Sequence, residues 1–285
     1  MSQDIFNLWN NTYNLIGSNL VIKGYSRAGE RSSFQIPAIS LMFDAGVRTS
    51  NTPNNIFISH CHADHIFDLP IILAGMSNKK TDIYSPVEEN VIDNFIRSSF
   101  TLINNGNMNL PSYQINRIVP FQKINFSENK RNYQIEVFKC FHTVPTNGYG
   151  LSEIKKKLKP EYIGKKGIEL VELKKSNVEI CYPIEDYIFA YLTDTTIKVF
   201  NNKNIFKYKT IMVECTILTE DAKDSARKHK HTYWGDLLPI IKSHPDNHFL
   251  IIHISPRYNQ EEIIDFFKTE KTKNNLNNVE PWINS

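Results

Sequence analysis

Apolar residues along the chain fall into short runs that alternate with longer stretches in which apolar and polar positions are mixed. Short runs rich in Ile, Val, Phe and Tyr are typical of β-strands buried in a core. Six such runs predict strands: SLMFDAG (40–46), NIFISH (55–60), YQIEVFKCFH (133–142), YIFAYLTDT (187–195), TIMVECTI (210–217) and HFLIIHIS (248–255). Several of these runs end in His, Asp or Glu, so chemistry is expected at the strand ends.

The longer stretches carry apolar residues three and four positions apart, which predicts amphipathic helices. In residues 86–103 the shared apolar face consists of Ile92, Phe95, Ile96, Phe100 and Ile103. Residues 232–244 and 259–270 show similar spacing, with a kink expected at Pro239 in the first of them. No Gly/Ser linker or sequence repeat divides the chain. We therefore expect one α/β domain over residues 1–285, with two sheets and outer helices.

Composition and charge narrow the class of protein. The 285 residues are 41% apolar and 22% charged, enough to bury one large core or two modest ones, and the net charge of +3 neither requires nor excludes a polyanionic partner. The four cysteines lie far apart without a CxxC pair, which argues against a disulfide framework and for a reducing compartment. No apolar run approaches the roughly 20 residues that span a bilayer. We expect an intracellular protein of the cytoplasm or nucleus, neither secreted nor membrane-bound.

The segment ISHCHADH (58–65) places four ligand-type residues within six positions. His60 and His62 are two residues apart, so they point to the same side of an extended chain. Asp64 and His65 follow the strand end, where a turn can aim them at a neighbouring point. Imidazole nitrogens and carboxylate oxygens are ligands for zinc, and a catalytic site leaves one position open. A single histidine is usually a core or surface residue, but this density favours a metal site.

Three more ligand-type residues follow predicted strands: His142, Asp194 and His253. Taken singly, Asp194 fits a turn or cap residue, and the two histidines fit buried, hydrogen-bonded imidazoles. Their joint placement at strand ends favours a site for two divalent cations.

These motifs together resemble a known family. HCHADH matches the HxHxDH signature of the metallo-β-lactamase superfamily, and FDAG, FHTVPTNGYG, LKPEYIGKKG, TDTT, ECTIL and HISPRY occur in the order typical of the short form of tRNase Z. The likeness covers residues from about 18 to 270. It implies an αββα sandwich of two mixed β-sheets with outer helices. It also implies an endoribonuclease that removes the 3′ trailer from tRNA precursors, leaving a tRNA 3′ hydroxyl and a trailer 5′ phosphate.

The resemblance also assigns roles to residues. It implies two zinc ions per chain, with this ligand set: His60, His62 and His142 for one ion, Asp64, His65 and His253 for the other, and Asp194 as the bridge. Asp64 counts among the catalytic residues as well. Two cations can together stabilise the attacking and leaving oxygens of an in-line displacement. The proton donor implied by the family is His231, with His229 as the competing assignment, and Glu214 would orient it. Asp44 resembles a position that supports a metal ligand.

A lysine-rich segment, within about residues 151–176, is the candidate contact for RNA. Its lysines are Lys155, Lys156, Lys157, Lys159, Lys165 and Lys166. A charge run is usually a solvated surface, but it can also meet RNA phosphates without reading bases. The likeness of LKPEYIGKKG to a tRNA-binding segment of the family favours tRNA. The family also implies a homodimer.

Three residues depart from the family pattern: Asp68 and Thr193 stand where glycine is usual, and Lys230 stands where a glycine or small residue is common. A side chain at Thr193 could require a different backbone angle. Two alternatives to the main interpretation stay open. One is a two-metal hydrolase of small phosphodiesters or esters, against which the lysines argue. The other is a catalytically silent RNA-binding protein, against which the complete set of seven ligand candidates argues.

Overall fold

Two seven-stranded β-sheets form the centre of the structure, a computed structural model that describes residues 8–75, 80–107 and 109–283. The first sheet contains, in spatial order, β1 (Thr12–Asn14), β2 (Val21–Arg27), β3 (Arg31–Ile36), β4 (Leu41–Phe43), β5 (Asn55–Phe57), β6 (Thr81–Ser85) and β7 (Tyr113–Arg117). The second contains β8 (Lys123–Glu128), β9 (Arg131–Lys139), β10 (Asn147–Leu158), β11 (Cys181–Leu192), β12 (Thr210–Glu214), β13 (His248–Ile252) and β14 (Val279–Pro281).

Both sheets are mixed, and their pairing patterns are alike. The first three strand pairs of each sheet are antiparallel and the last three are parallel. Parallel neighbours end at the same edge of a sheet, where ligands commonly bind. The segments that follow β4, β5, β11 and β13 therefore emerge at sheet edges with their polar residues.

The helices connect and cover the strands. They are α1 (Ala63–Ile66), α2 (Leu69–Leu73), α3 (Glu89–Ile103), α4 (Gly167–Lys175), α5 (Lys223–Lys228), α6 (Trp234–Ser243) and α7 (Gln260–Asn274). Short 3-10 helices lie at Pro37–Ile39, Pro160–Tyr162, Ile197–Asn201, Lys203–Lys207 and Glu220–Ala222. Within the described ranges, no helix combines the length and the apolar content that crossing a bilayer requires.

Three apolar clusters hold the layers together. Between the sheets, the ring of Phe43 packs against Phe57 and Tyr149 at centroid distances of 6.2 and 6.0 Å. On the outer face of the first sheet, Ile92, Ile96 and Phe100 of α3 pack against its strands. On the outer face of the second sheet lie Leu237, Ile241, Ile263 and Phe267. Burying one such side chain stabilises the fold by about 1.5–3 kcal/mol. The predicted α/β sandwich with outer helices is confirmed.

The predicted elements are present, and their limits differ for physical reasons. Helix α3 begins three residues later than predicted, and Ile103 at its end is 59% exposed. Pro239 lies inside α6 without ending it. Strand β11 begins at Cys181, six residues earlier than predicted, because it pairs with the end of β10. The early part of β11 is partly exposed and mixes polar with apolar residues, so it carries no strand signal of the buried kind.

Strands β10 and β11 extend beyond their neighbours. The last β9 partner on β10 is at Ile154, and β12 pairs with β11 only from Phe189 onward. Residues 155–184 therefore form a projecting two-stranded arm that carries α4, which has no buried residue. We call this segment the basic arm.

Candidate metal centre

The HCHADH segment turns from β5 into α1, and Gly46 of the neighbouring FDAG loop leaves room for this turn. His62 has extended backbone angles and directly precedes α1, which contains Asp64 and His65. The FDAG loop lies against this turn, since the amide of Ala45 donates to the carbonyl oxygen of His65 at 2.7 Å. A Cβ on Gly46 would lie 1.8 Å from the carbonyl oxygen of Asp64. Only glycine allows the two loops to approach this closely.

The seven predicted ligands converge at the sheet edges, and four of them form a first group. The Nδ1 atom of His62 lies 3.1 Å from His60 Nε2 and 3.3 Å from His142 Nε2. Both of these Nε2 atoms lie 3.6 Å from Asp194 Oδ2. The ligand atoms of this group all lie within 4.8 Å of one another, an arrangement that can hold a metal ion.

A second group lies on the other side of Asp194. His65 Nε2 is 3.4 Å and His253 Nε2 is 3.5 Å from Asp64 Oδ2. The same two nitrogens lie 3.4 and 3.2 Å from Asp194 Oδ1. Asp194 thus directs one carboxylate oxygen toward each group. We call His60, His62, Asp64, His65, His142, Asp194 and His253 together the candidate metal centre.

The chemistry of this centre suits a cation. His65 Nε2 and His253 Nε2 are buried and, among the described residues, make no hydrogen bond, although carboxylate oxygens lie at 3.2–3.5 Å. Buried polar atoms without a partner are costly and rare. A metal ion among these nitrogens and carboxylates would use their lone pairs.

The carboxylates and imidazoles of the centre shift one another's pKa. Burial raises the pKa of Asp194, but His253, His65 and His60 outweigh it and hold that pKa well below its usual value. Asp64 behaves in the same way, because the nearby imidazoles of His253 and His65 outweigh the effect of burial and hold the pKa of Asp64 below its usual value. Burial lowers the pKa of His60. The carboxylates are therefore ionised and His60 is neutral at neutral pH, the states in which both bind metals.

Four of the five histidines in the centre are held by their second ring nitrogen. The contacts are His65 Nδ1 to Asp44 Oδ2 at 2.8 Å, His60 Nδ1 to Ser59 Oγ at 3.0 Å, His253 Nδ1 to Thr216 Oγ1 at 3.1 Å and His142 Nδ1 to the carbonyl oxygen of Lys230 at 3.3 Å. Such contacts fix the ring orientation and the tautomer of a metal-binding histidine.

Asp44 organises the largest of these supports. Its Oδ2 accepts hydrogen bonds from His65 Nδ1, from the Tyr191 hydroxyl at 2.7 Å and from the Ser59 hydroxyl at 2.9 Å, and its Oδ1 accepts from the Ser59 amide at 2.6 Å. Asp44 is fully buried with a φ of 57°, a conformation that costs a non-glycine residue about 1–3 kcal/mol. Sequence reasoning singled out Asp44 but missed Ser59 and Tyr191, which lie on different strands or loops and carry no motif of their own.

His231, which is partly buried, pairs beside the centre with the fully buried Glu214. His231 Nδ1 lies 3.0 Å from Glu214 Oε1, and its ring stacks on His253 and lies 5.0 Å from the ring of His142. Burial lowers the pKa of His231, but the Glu214 carboxylate outweighs burial and raises that pKa to about 9. Atoms of Asp194, His231 and His253 also lie close enough to form a third ligand group. Because Nδ1 of His231 contacts Glu214, Nε2 is the ring nitrogen of His231 that remains to face the centre.

Glu214 is fully buried, and its hydrogen bonds explain how. Besides His231, it accepts from three backbone amides and one hydroxyl: Thr195 N at 3.0 Å, Thr232 N at 3.1 Å, Thr216 N at 3.0 Å and Thr216 Oγ1 at 2.8 Å. By contrast, the competing candidate His229 is exposed and donates from Nδ1 to the carbonyl oxygen of Ser225 at 2.9 Å. The geometry favours His231 as the residue that acts with Glu214.

The three departures from the family pattern have distinct structural roles. Thr193 is buried and its φ is not left-handed, so its backbone carries no strain of that kind; its hydroxyl donates to Asp194 Oδ1 at 3.1 Å. Asp68 accepts from Arg31 and from the amide of Arg48, both at 2.8 Å. Lys230 takes a φ of 57°, the angle that favours glycine.

The lysines of the basic arm are not equivalent. Lys155 lies 2.5 Å from Asp186 and 3.6 Å from Glu153, so nearby carboxylates neutralise it. Lys159 lies 4.0 Å from Glu179. The other four lysines predicted to contact RNA make no ion pair within the described residues and are exposed: Lys156, Lys157, Lys165 and Lys166. Beside them, Ile168 of α4 is 69% exposed.

Two cavities meet at the candidate metal centre. The larger cavity, about 870 Å³, is lined by His142, His231 and a set of apolar and basic residues. The smaller cavity, about 320 Å³, is lined by the same two histidines, by His62 and by Arg257. A ligand at the centre can therefore extend into either cavity.

Comparisons with known proteins agree with this architecture. No protein-family model matches the chain. The chain resembles tRNase Z TRZ1 of Arabidopsis thaliana, with 28% identity over 253 residues that cover 86% of this chain and 88% of the relative. It also resembles the nuclear ribonuclease Z of Triticum aestivum, with 30% identity over 165 residues that cover 56% of this chain and 90% of the relative.

Solved structures show the same fold. The metallo-β-lactamase fold protein YhfI from Bacillus subtilis superposes with a TM-score of 0.55 and 12% identity, covering 91% of this chain and 94% of that one. The short form of human tRNase Z superposes with a TM-score of 0.51 and 17% identity, covering 86% and 89%. With this fold and these relatives, the chain belongs to the ribonuclease Z (tRNase Z) family.

Proposed function

We propose that the chain is a metal-dependent endoribonuclease that cuts the 3′ trailer from tRNA precursors. The observation that carries the proposal is the arrangement of two ligand groups on the two oxygens of Asp194, in a chain whose relatives are named tRNase Z and ribonuclease Z. The products would be a tRNA with a 3′ hydroxyl and a trailer with a 5′ phosphate.

The residues fit two zinc ions per chain. His60, His62 and His142 would hold one ion, Asp64, His65 and His253 the other, and Asp194 would bridge them. Imidazole and carboxylate ligands suit zinc. When bound, two such cations activate a water molecule and stabilise charge at the cleaved phosphate. The ionised carboxylates of Asp64 and Asp194 and the neutral imidazole of His60 support this assignment.

His231 is the proposed proton donor. The leaving atom is the 3′ oxygen of the last tRNA nucleotide, which must take up a proton as its bond to phosphorus breaks. Glu214 accepts from His231 Nδ1 at 3.0 Å, so Nε2 is the nitrogen that would deliver the proton. With a pKa of about 9, His231 is charged and ready to donate at neutral pH.

The basic arm is the proposed contact for the tRNA body. Four of its unpaired lysines, Lys156, Lys157, Lys165 and Lys166, project on a hairpin away from the core, where they can reach phosphates of an RNA held at the centre.

We also propose a homodimer located inside the cell, in the cytoplasm or nucleus. Exposed apolar side chains beside α1 and on α2 and α3, namely Phe67, Ile71 and Val91, offer a surface for a second copy. The four free cysteines suit a reducing compartment.

The test is cleavage of a tRNA precursor that bears a short 3′ trailer by the purified, zinc-loaded protein. We expect a cut next to the last nucleotide of the tRNA, a 3′ hydroxyl on the tRNA and a 5′ phosphate on the trailer. Asp64→Ala should abolish cutting and reduce bound zinc, whereas Asp265→Ala, an exposed aspartate on α7, should change neither. Tight binding without cutting would instead support a silent RNA-binding protein. Neither binding nor cutting of RNA would favour a hydrolase of small phosphodiesters.

A further inference from the structure

The larger cavity is lined by apolar and basic side chains, and of the proposed metal-binding and catalytic residues only His142 and His231 line it. The apolar side chains that line the remainder include Ile118, Val119, Pro120, Phe141, Val144 and Ile197. Its volume, about 870 Å³, lies near the upper limit for ligand pockets, roughly 300–1,000 Å³. The cavity therefore has room for more than the scissile phosphate.

Charge around the cavity is positive. Five cationic side chains line it: Arg117, Lys139, Lys198, Arg227 and Lys230. Asp236 is the carboxylate in the lining, and it is paired with Arg227 at 3.0 Å. Arg117 pairs with Glu88 at 2.8 Å outside the cavity. Lys198 makes no ion pair within the described part of the chain, and the Nζ of Lys139 lies 5.4 Å from the centre of the Phe141 ring. The Nζ of Lys230 donates to the carbonyl oxygen of His142 at 3.1 Å. Lys139 and Lys198 therefore remain for an anionic ligand.

An apolar wall next to separated cations is the chemistry that binds single-stranded RNA. Bases of any sequence pack on apolar and aromatic side chains, while lysines contact the backbone phosphates. An RNA cut at the centre has a single-stranded trailer on one side and a folded tRNA on the other. A concave cavity admits the flexible single strand more readily than a stacked double helix. The smaller cavity is lined by the same two histidines, His142 and His231, and is available to the remaining strand.

We infer that the larger cavity is a binding site for the first nucleotides of the trailer, with their bases on the Phe141 and Ile197 wall and their phosphates near Lys139 and Lys198. This inference rests on the proposed function, because it assumes that the phosphate next to His231 is the one that is cut. Trailer recognition of this kind is sequence-tolerant, since the wall presents few hydrogen-bonding groups to a base.

The test compares two tRNA precursors, one with a trailer of a single nucleotide and one with a trailer of several. In the double variant Lys139→Gln/Lys198→Gln, loss of two phosphate contacts should raise KM for the long trailer about tenfold and reduce the salt dependence of binding by about 0.7 per contact. The single-nucleotide trailer has no phosphate beyond the one that is cut, so its KM should rise much less than that of the long trailer. Lys268→Gln, an exposed lysine on α7, is the control and should alter neither substrate.

An equal loss on both trailers would overturn the inference, because it would place the tRNA side of the cut in the cavity. No change on either trailer would overturn it as well. A second measurement does not depend on cleavage: binding of a short 5′-phosphorylated single-stranded RNA, followed by fluorescence anisotropy. Weaker binding by the double variant than by Lys268→Gln supports the inference, and equal binding overturns it. If the wild type cuts neither precursor, the proposed function fails, while this binding comparison still decides on the cavity.

Discussion

Replacing Asp44 by Asn should weaken metal binding without removing any ligand. The change converts one acceptor oxygen of a buried carboxylate into an amide NH2 group, in a position surrounded by donors. Four hydrogen bonds reach Asp44, from His65, Tyr191 and, twice, Ser59, at 2.6–2.9 Å. In either orientation of the new amide, its NH2 group faces a hydrogen-bond donor that the carboxylate oxygen accepted from.

The two orientations have different consequences. If the NH2 group takes the place of Oδ1, it opposes the amide of Ser59, and a buried unpaired N–H costs about 1–3 kcal/mol of stability. If it takes the place of Oδ2, the hydroxyls of Ser59 and Tyr191 can rotate, but His65 must give up its Nδ1 proton. His65 would then carry its proton on Nε2, the nitrogen that faces Asp64 and Asp194. Loss of such support typically reduces metal affinity roughly 10–100-fold.

The assay has two parts, zinc affinity by competition with a chromophoric chelator and urea unfolding of the metal-free chain. We expect Asp44→Asn to unfold about 2 kcal/mol more easily and to bind zinc roughly 10–100-fold more weakly. Tyr191→Phe is the control: it removes one donor and keeps the carboxylate, so it should cost about 1 kcal/mol of stability and leave zinc affinity unchanged. Wild-type zinc affinity in a folded Asp44→Asn protein would refute the reasoning, as would an equal loss of affinity in Tyr191→Phe.

Three further changes test other parts of the site. Thr193→Val removes the hydroxyl that donates to the next residue's carboxylate and should lower zinc affinity about tenfold, measured by the same competition, whereas Thr193→Ser should restore it. Below about pH 9 His231 is protonated, so kcat should fall as pH rises through that value. Glu214→Gln removes the charge that raises the pKa of His231, so the fall in kcat should move to lower pH. A pH profile that does not move would contradict the pairing of His231 with Glu214. Lys165→Gln should weaken tRNA binding and its salt dependence more than Lys155→Gln, because carboxylates already neutralise the second lysine; equal effects would count against the arm.

Local pattern alone was enough to predict most elements and the first half of the site. Apolar runs and helical spacing depend on near neighbours, so the strands and α3 were predicted with shifted ends. The metal ligands in the HCHADH segment could also be predicted, because four ligand-type residues lie within six positions. An extended chain followed by a turn orients them toward one site. The fold class, two mixed sheets with outer helices, followed from the alternation of elements together with the family resemblance.

Other features depended on contacts between distant parts of the chain. Asp194 reaches both ligand groups only because the edges of two packed sheets bring residues 60–65 next to residues 142, 194 and 253. Tyr191 and Ser59 donate to Asp44 because the same packing brings them next to it, and neither residue belongs to a motif that predicts this contact. Thr193 replaces a glycine without strain, since its backbone angle is ordinary and its hydroxyl finds a buried acceptor.

The sequence by itself determined which side chains with metal-binding and proton-transfer chemistry the protein carries, and it placed them at the ends of strands. Only the tertiary structure decided which of them meet, which lysines keep an unpaired charge and where a cavity opens beside the centre. The physical reason is that periodicity acts over a few residues, whereas convergence, burial and charge pairing are set by how two sheets pack and by the side chains that this packing brings within hydrogen-bonding distance.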